Sequence, residues 1–342
     1  MFHRRTVIKG GLAAAALQLA PGMVRQAQAA GPLRLYDSHA HLVSDDPQRY
    51  PHNPFRLETP PGAPQGALPP FGPGTVGIPG GMHGPHPVNE KPTAEQMHQW
   101  MAEENVVGMA AVQKGMIYGT DNSYIVDAAS LFPDEMRAVI IIDPMEEKTL
   151  PMIRENAKRG IAGVRFFPVN VEDKAAWLSS PQSLAVWTLA NELGMAVDLE
   201  APPHGVETMI PVVESMADRF PGLPIVLDHL FMPVVTEPDF GIDSRFEGFA
   251  ARDDIYVKWT SLMMDVIREQ GVSVEQVLRR AVDFYGADKV MWGSDIGTSS
   301  GTYKEMVQRA IDSTALLNDE ERAKVLHDTG RRVFAGWEGA EG

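Results

Sequence analysis

Leu33-Arg34-Leu35-Tyr36-Asp37-Ser38-His39-Ala40-His41 is a largely alternating apolar run that ends in two histidines one residue apart. Residues two apart in a strand face the same way, so both imidazoles project from one face at one end of one strand. Seven more short β-type runs follow, at 106–113, 138–143, 163–167, 196–200, 224–229, 255–260 and 290–295. Most are nearly continuous apolar segments closed by a polar or charged residue, which is what a parallel sheet covered by helices requires. Helix-like patterns fill the gaps at 93–105, 121–131, 146–159, 181–193, 206–220, 274–285, 303–316 and 319–330. Gly160, Gly194 and Gly286 stand where three of them should stop. Eight strands alternating with helices predict an α/β fold, the (β/α)8 or TIM barrel. The rival, an open doubly wound sheet, is weakened because no Gly-x-Gly-x-x-Gly turn directly follows an early strand.

The chain has 342 residues, 44% hydrophobic and 22% charged, an ordinary composition for a globular protein with a large core. Its first 29 residues read as a leader. His3-Arg4-Arg5-Thr6-Val7-Ile8-Lys9 is a basic start, a short apolar stretch follows, and Ala27-Gln28-Ala29 fits a cleavage site. The paired arginines resemble a twin-arginine export signal, which implies the twin-arginine machinery as a partner and a periplasmic destination after cleavage near Ala29. The apolar stretch is short for a membrane span, and no later segment has the length of one, so the mature form is expected to have no membrane partner. Residues 30–342 would then form the barrel domain. Four of the thirty basic side chains (Arg4, Arg5, Lys9, Arg25) and no acid fall in the leader, leaving 26 basic against 45 acidic and a formal charge of −19. Such a surface repels phosphate backbones and argues against a nucleic-acid partner. There is no cysteine, which excludes disulfides, thiolate nucleophiles and cysteine metal ligands.

Residues 47–91 are rich in proline and glycine, with Pro60-Pro61, Pro69-Pro70 and Gly80-Gly81. A loop this long, leaving the C-terminal end of the first strand, is expected to form a lid over the barrel mouth. His83 and His86 within it are read as surface residues.

Active-site residues of such barrels come from the C-terminal strand ends. Those ends carry His39 and His41 (first strand), Gln113 (second), Asp143 (third), Arg165 (fourth), Asp198 and Glu200 (fifth), His229 (sixth) and Asp295 (eighth). Asp37-Ser38-His39-Ala40-His41, Leu227-Asp228-His229 and Trp292-Gly293-Ser294-Asp295 together resemble the amidohydrolase superfamily. Tyr118-Gly119-Thr120-Asp121-Asn122, Ile142-Asp143-Pro144, Gly163-Val164-Arg165-Phe166 and Val257-Lys258 are similar to the branch of 2-pyrone-4,6-dicarboxylate lactonase. The resemblance spans 33–335. It implies hydrolysis of a lactone, with Asp295 as general base on water and His39, His41 and His229 polarising the carbonyl. Ester attack needs just such a base and donors aimed at the developing oxyanion.

The departures from that branch bear on substrate. Its carboxylate-binding arginines are matched by Arg165 but fall elsewhere on Val171, on Met232 and in the stretch Trp259-Thr260-Ser261-Leu262-Met263-Met264. A tyrosine is replaced by Glu200. A neutral or monoanionic small molecule with an apolar or aromatic part is therefore expected, with Arg165, Glu200, Gln113, Met232 and Trp259 as candidate contacts. Arg165 could alternatively bridge strand-end carboxylates such as Glu200. The bridging lysine of two-metal relatives has no counterpart in the fourth strand. Two states remain open: no cofactor, or one divalent ion, Zn2+ above all, on His39, His41 and Asp295 with Glu200 or His229. The second state would also suit a metal-dependent amidohydrolase or decarboxylase. A third reading is a non-catalytic exported binding protein on a barrel scaffold.

Overall fold

Eight parallel strands run in chain order around the sheet of the computed structural model: β1 (Leu35–Ala40), β2 (Val106–Val112), β3 (Met136–Ile142), β4 (Gly163–Phe166), β5 (Ala196–Leu199), β6 (Ile225–Leu227), β7 (Ile255–Thr260) and β8 (Val290–Gly293). The structure describes residues 33–55, 90–169, 171–200 and 206–335. Past the last paired residue of β8, Asp295 N donates to His39 O at 2.7 Å and His41 N to Ile296 O at 3.1 Å. These bonds bring the two ends of the sheet together at the mouth and make it a (β/α)8 barrel. All eight predicted strands are present. Most stop short of their polar end residue, so His41, Gln113, Asp143, Glu200, His229 and Asp295 stand just beyond the sheet.

Strand alternation sorts the interior into levels. Tyr36, Ala110, Val112, Val139, Ala196, Val226, Met291 and Phe334 form one apolar cluster inside the barrel. Two residues further along, β5 and β7 place Asp198 and Lys258 on the same inner face, joined by Asp228 just past the end of β6. Two more bring Glu200, Thr260 and Asp295 to the mouth. Phe334, at the end of the closing helix Thr329–Phe334, is buried beneath this stack, with Lys258 Nζ 5.3 Å from its ring centroid. β1 breaks the alternation. Its pairing with β2 shifts register on either side of Asp37, and His39, three residues after inward Tyr36, also faces inward. A bulge inserts one residue and re-aims all that follows.

The helices at Pro181–Leu193 and Val274–Tyr285 have their predicted bounds and end at Gly194 and Gly286, both with positive φ. Among the described helices that the sequence reading missed, one is longer than the rest. Ser261–Glu269 follows β7 directly, capped by the Thr260 side chain and burying Leu262, Met263, Met264, Val266 and Ile267. Its apolar start reads as a continuation of the strand. The lid expectation for 47–91 and the leader fall mostly outside the described residues, as do His83 and His86. Within the described part, Asn53 N bonds Ile117 O at 2.8 Å and Phe55 N bonds Gly115 O, tying the segment after β1 to the loop after β2. Among the described residues no helix is long and apolar enough to cross a membrane.

Candidate active site

Three atoms converge at the mouth. His39 Nε2 and His41 Nε2 are 3.3 Å apart, and Asp295 Oδ1 lies 3.2 Å from His41 Nε2 and 3.6 Å from His39 Nε2. All three residues are buried. The other ring nitrogen of His41 donates to the Val112 carbonyl at 2.8 Å. A carbonyl only accepts, so in the neutral ring Nε2 carries a lone pair. Burial, seconded by Lys114, pushes the His41 imidazole down to about 4, which keeps it neutral. Asp295 Oδ2 accepts from Ser299 Oγ at 2.8 Å. Burial opposes its charge, but the surrounding imidazoles, His41 first and then His229 and His39, outweigh burial and hold its carboxyl below the usual range.

This triangle fits a divalent ion. Ligand atoms about 2.1 Å from a tetrahedral centre stand about 3.4 Å from one another. Two nitrogens and one carboxylate oxygen form a donor set that Zn2+ accepts. Glu200, a predicted ligand, stays outside the triangle. Its Oε2 is hydrogen-bonded to Arg165 and lies 3.6 Å from His229 Nε2. A second cluster, His39, Asp228 and His229, shares His39, but its Asp228 oxygens are already taken.

Beneath the triangle lies a network of buried charges. Arg165 reaches Asp228 Oδ2 from Nε at 2.9 Å and from Nη2 at 2.5 Å while also holding Glu200. Lys258 is bonded to Asp198, lies 3.0 Å from Asp228 Oδ1, and is 3.1 Å from His39 Nδ1. Asp228 Oδ1 is itself 3.1 Å from His39 Nδ1. Burial disfavours the Asp228 charge, yet Arg165, Lys258 and His39 win and keep its carboxyl well below the ordinary range. Asp198, raised by burial and by the Asp228 charge, is pushed up to about 7. Ions this far from water persist only when paired and hydrogen-bonded, so the network is obligatory. Of the two readings of Arg165, bridging carboxylates is the one its geometry displays.

The remaining predicted contacts divide. His229 Nδ1 lies 2.7 Å from Thr260 Oγ1, and Glu200 raises its pKa against the effect of burial. His229, Leu230, Phe231 and Met232 all have positive φ, between 52° and 61°, as does Asp295 at 52°. Left-handed backbone costs about 1–2 kcal/mol per non-glycine residue. Full burial of Leu230 and Phe231, at about 1.5–3 kcal/mol each, offsets it. Met232 closes this turn, half-buried. Gln113 donates to the Asp121 carbonyl at 2.6 Å and ties down a loop, and Asp143 accepts from Met145 N in a turn. Trp259 is not at the mouth. Between inward Lys258 and Thr260 it points outward, buried in the helix layer with Nε1 on Ser313 Oγ at 3.0 Å.

Sequence reasoning missed three residues. Asp228 and Lys258 sit in motifs already noted, and a lysine inside the apolar run 255–260 was itself a signal that a buried partner must exist. Lys114, next to Gln113, is buried and donates to Thr298 Oγ1, and burial pushes it down to about 8. Gly293 has a different constraint. A Cβ there would stand 2.6 Å from His39 Cβ and 2.9 Å from His39 N. Gly293→Ala is expected to cost about 1–3 kcal/mol in urea unfolding and to depress turnover with it. A stable, fully active variant would refute this packing.

The family model described as Amidohydrolase matches residues 36–336. A 4-sulfomuconolactone hydrolase from Hydrogenophaga intermedia is 27% identical over 300 residues, covering 82% of this chain and 91% of the relative. Among solved structures, the probable 2-pyrone-4,6-dicarboxylic acid hydrolase of Acinetobacter baumannii superposes with a TM-score of 0.62 at 17% identity, over 89% of this chain and 100% of that one. A Burkholderia multivorans amidohydrolase with bound zinc gives 0.60 at 20% identity, over 88% and 99%.

Proposed function

This chain belongs to the amidohydrolase family, and from that premise we propose that it is an exported hydrolase that opens the ring of a lactone or related ester by attack of water. The observation that carries the reading is the convergence of His39 Nε2, His41 Nε2 and Asp295 Oδ1 at the open end of the barrel. The named lactone hydrolases among its relatives point to the same reaction class.

A divalent ion, Zn2+ in the first instance, held by His39, His41 and Asp295 would supply a Lewis acid for water or carbonyl oxygen. Asp295 takes the proton of the attacking water. His229, set between Glu200 and Thr260, donates to the carbonyl oxygen as negative charge develops. The acyl C–O bond of the ring then breaks. The proton held at Asp295 passes to the departing ring oxygen, leaving a hydroxyl and, on the same product, a carboxylic acid that releases its proton to solvent as the carboxylate. For His41 the ligand role is favoured over that of a carbonyl donor, because its only proton is engaged by Val112 O. Arg165, Asp228 and Lys258 fix His39 from below.

Elemental analysis of the purified protein, paired with a panel of lactones, esters, amides and aromatic acids, tests this. One zinc-type ion per chain is expected, with ring-opening that chelation removes and Zn2+ restores. Full activity without a bound ion would overturn the ligand assignment. Amide cleavage or decarboxylation with no ring-opening would overturn the lactonase reading. Export rests on Arg4-Arg5 and Ala27-Gln28-Ala29, and N-terminal sequencing of periplasmic protein is expected to begin at Ala30.

A further inference from the structure

Three buried cations line the inner face and mouth of the barrel, and two are matched by carboxylates. Arg165 holds Asp228 and Glu200, and Lys258 holds Asp198 and Asp228. Lys114 has no ion pair among the described residues. It donates to the Thr298 hydroxyl, and the nearby Asp295 spends its oxygens on the two imidazoles and on Ser299. A lysine is almost never buried without a counter-charge unless one arrives from outside. Its neighbour Gly115 leads directly under an aromatic pair, Phe55 and Phe167, whose centroids are 5.5 Å apart. A Cβ at Gly115 would stand 2.9 Å from Phe55 and 3.2 Å from Phe167. On the other side, the Arg165 guanidinium is 5.0 Å from the Phe167 ring. The mouth therefore offers one cation without a direct ion pair beside two aromatic rings tilted 33° to each other.

We propose that Lys114 is the specificity residue of this site, binding the single anionic oxyacid group of a flat, unsaturated lactone whose ring lies against Phe55 and Phe167. The inference rests on the lactonase reading and narrows it to monoanionic substrates. A second carboxylate would face Glu200 and an arginine already spoken for. A neutral ring would leave Lys114 buried without its partner.

The probes are 2-oxopyran-5-carboxylate and its methyl ester, which share the lactone ring and differ in the charge. Their binding to the full chain is measured by calorimetry and their opening by absorbance. The acid is expected to bind at least about tenfold tighter than the ester, the scale of one charged hydrogen bond. Lys114→Met should collapse the acid-to-ester ratio of kcat/KM and of affinity by about 10- to 100-fold, and Lys114→Arg should keep most of it. Equal loss on both probes in Lys114→Met would overturn the proposal, because Lys114 would then serve the shared carbonyl or the fold. So would equal binding of acid and ester to the unaltered protein, or no binding of the acid. If Lys114→Met fails to fold, Lys114→Arg decides, since loss of the acid preference there with an unchanged melting curve refutes the assignment. Tight binding of the acid without opening of either ring would instead sink the lactonase reading and leave the anion site standing.

Discussion

Asp295→Asn is expected to lower kcat/KM for ring-opening by about 10^2- to 10^4-fold, the usual contribution of a positioned base. The substitution is chosen for its backbone. Asp295 has φ 52°, and asparagine is among the few side chains that tolerate that region. The amide oxygen can still accept from Ser299, so the melting temperature should hardly move. A change in activity of less than tenfold would remove Asp295 from the reaction. Ion content gives an independent readout, because losing one of three ligands and a negative charge should lower the bound metal while the fold stays intact.

Arg165→Met should act mainly on stability. It leaves Asp228 and Glu200 buried without their guanidinium, and breaking such a pair costs about 3–5 kcal/mol. In the variant Asp228 loses the largest of the charges that hold its carboxyl low against burial, so the variant's native state would take up a proton there at higher pH than the wild type does. The deficit in urea unfolding should therefore shrink from pH 7 toward pH 5. Adding Glu200→Gln should recover part of it at neutral pH. A variant with wild-type stability and a raised KM would show instead that Arg165 holds a substrate carboxylate.

The barrel was legible because its strands are covered on both sides. Continuous apolar runs such as 138–143 and 290–295 have few other uses at that spacing, and their polar end residues mark the mouth. Trp259 was misplaced because adjacent residues of a buried strand are equally apolar whichever way they point, and only the inward Lys258 reveals the phase. The bulge in β1 had no local signature. Without it, Tyr36 and His39 would face opposite ways, yet both face inward. Glu200 was legible as a mouth residue, and its pairing with Arg165 stood as one of two alternatives, because the choice between ion pair and metal ligand depends on distances across the barrel. The left-handed turn at His229–Met232 contains no glycine, so nothing in its residue types announced it.

The column of contacts from Phe334 through Lys258 to His39 also has a consequence for the order of events in biosynthesis. A ribosome releases the histidine pair well before the phenylalanine that floors the barrel. Until that residue docks, Lys258 lacks the surface beneath it and the charges orienting His39 are open to water from below. Activity thus waits on Phe334, and a polypeptide cut before it would carry every mouth residue and yet be silent.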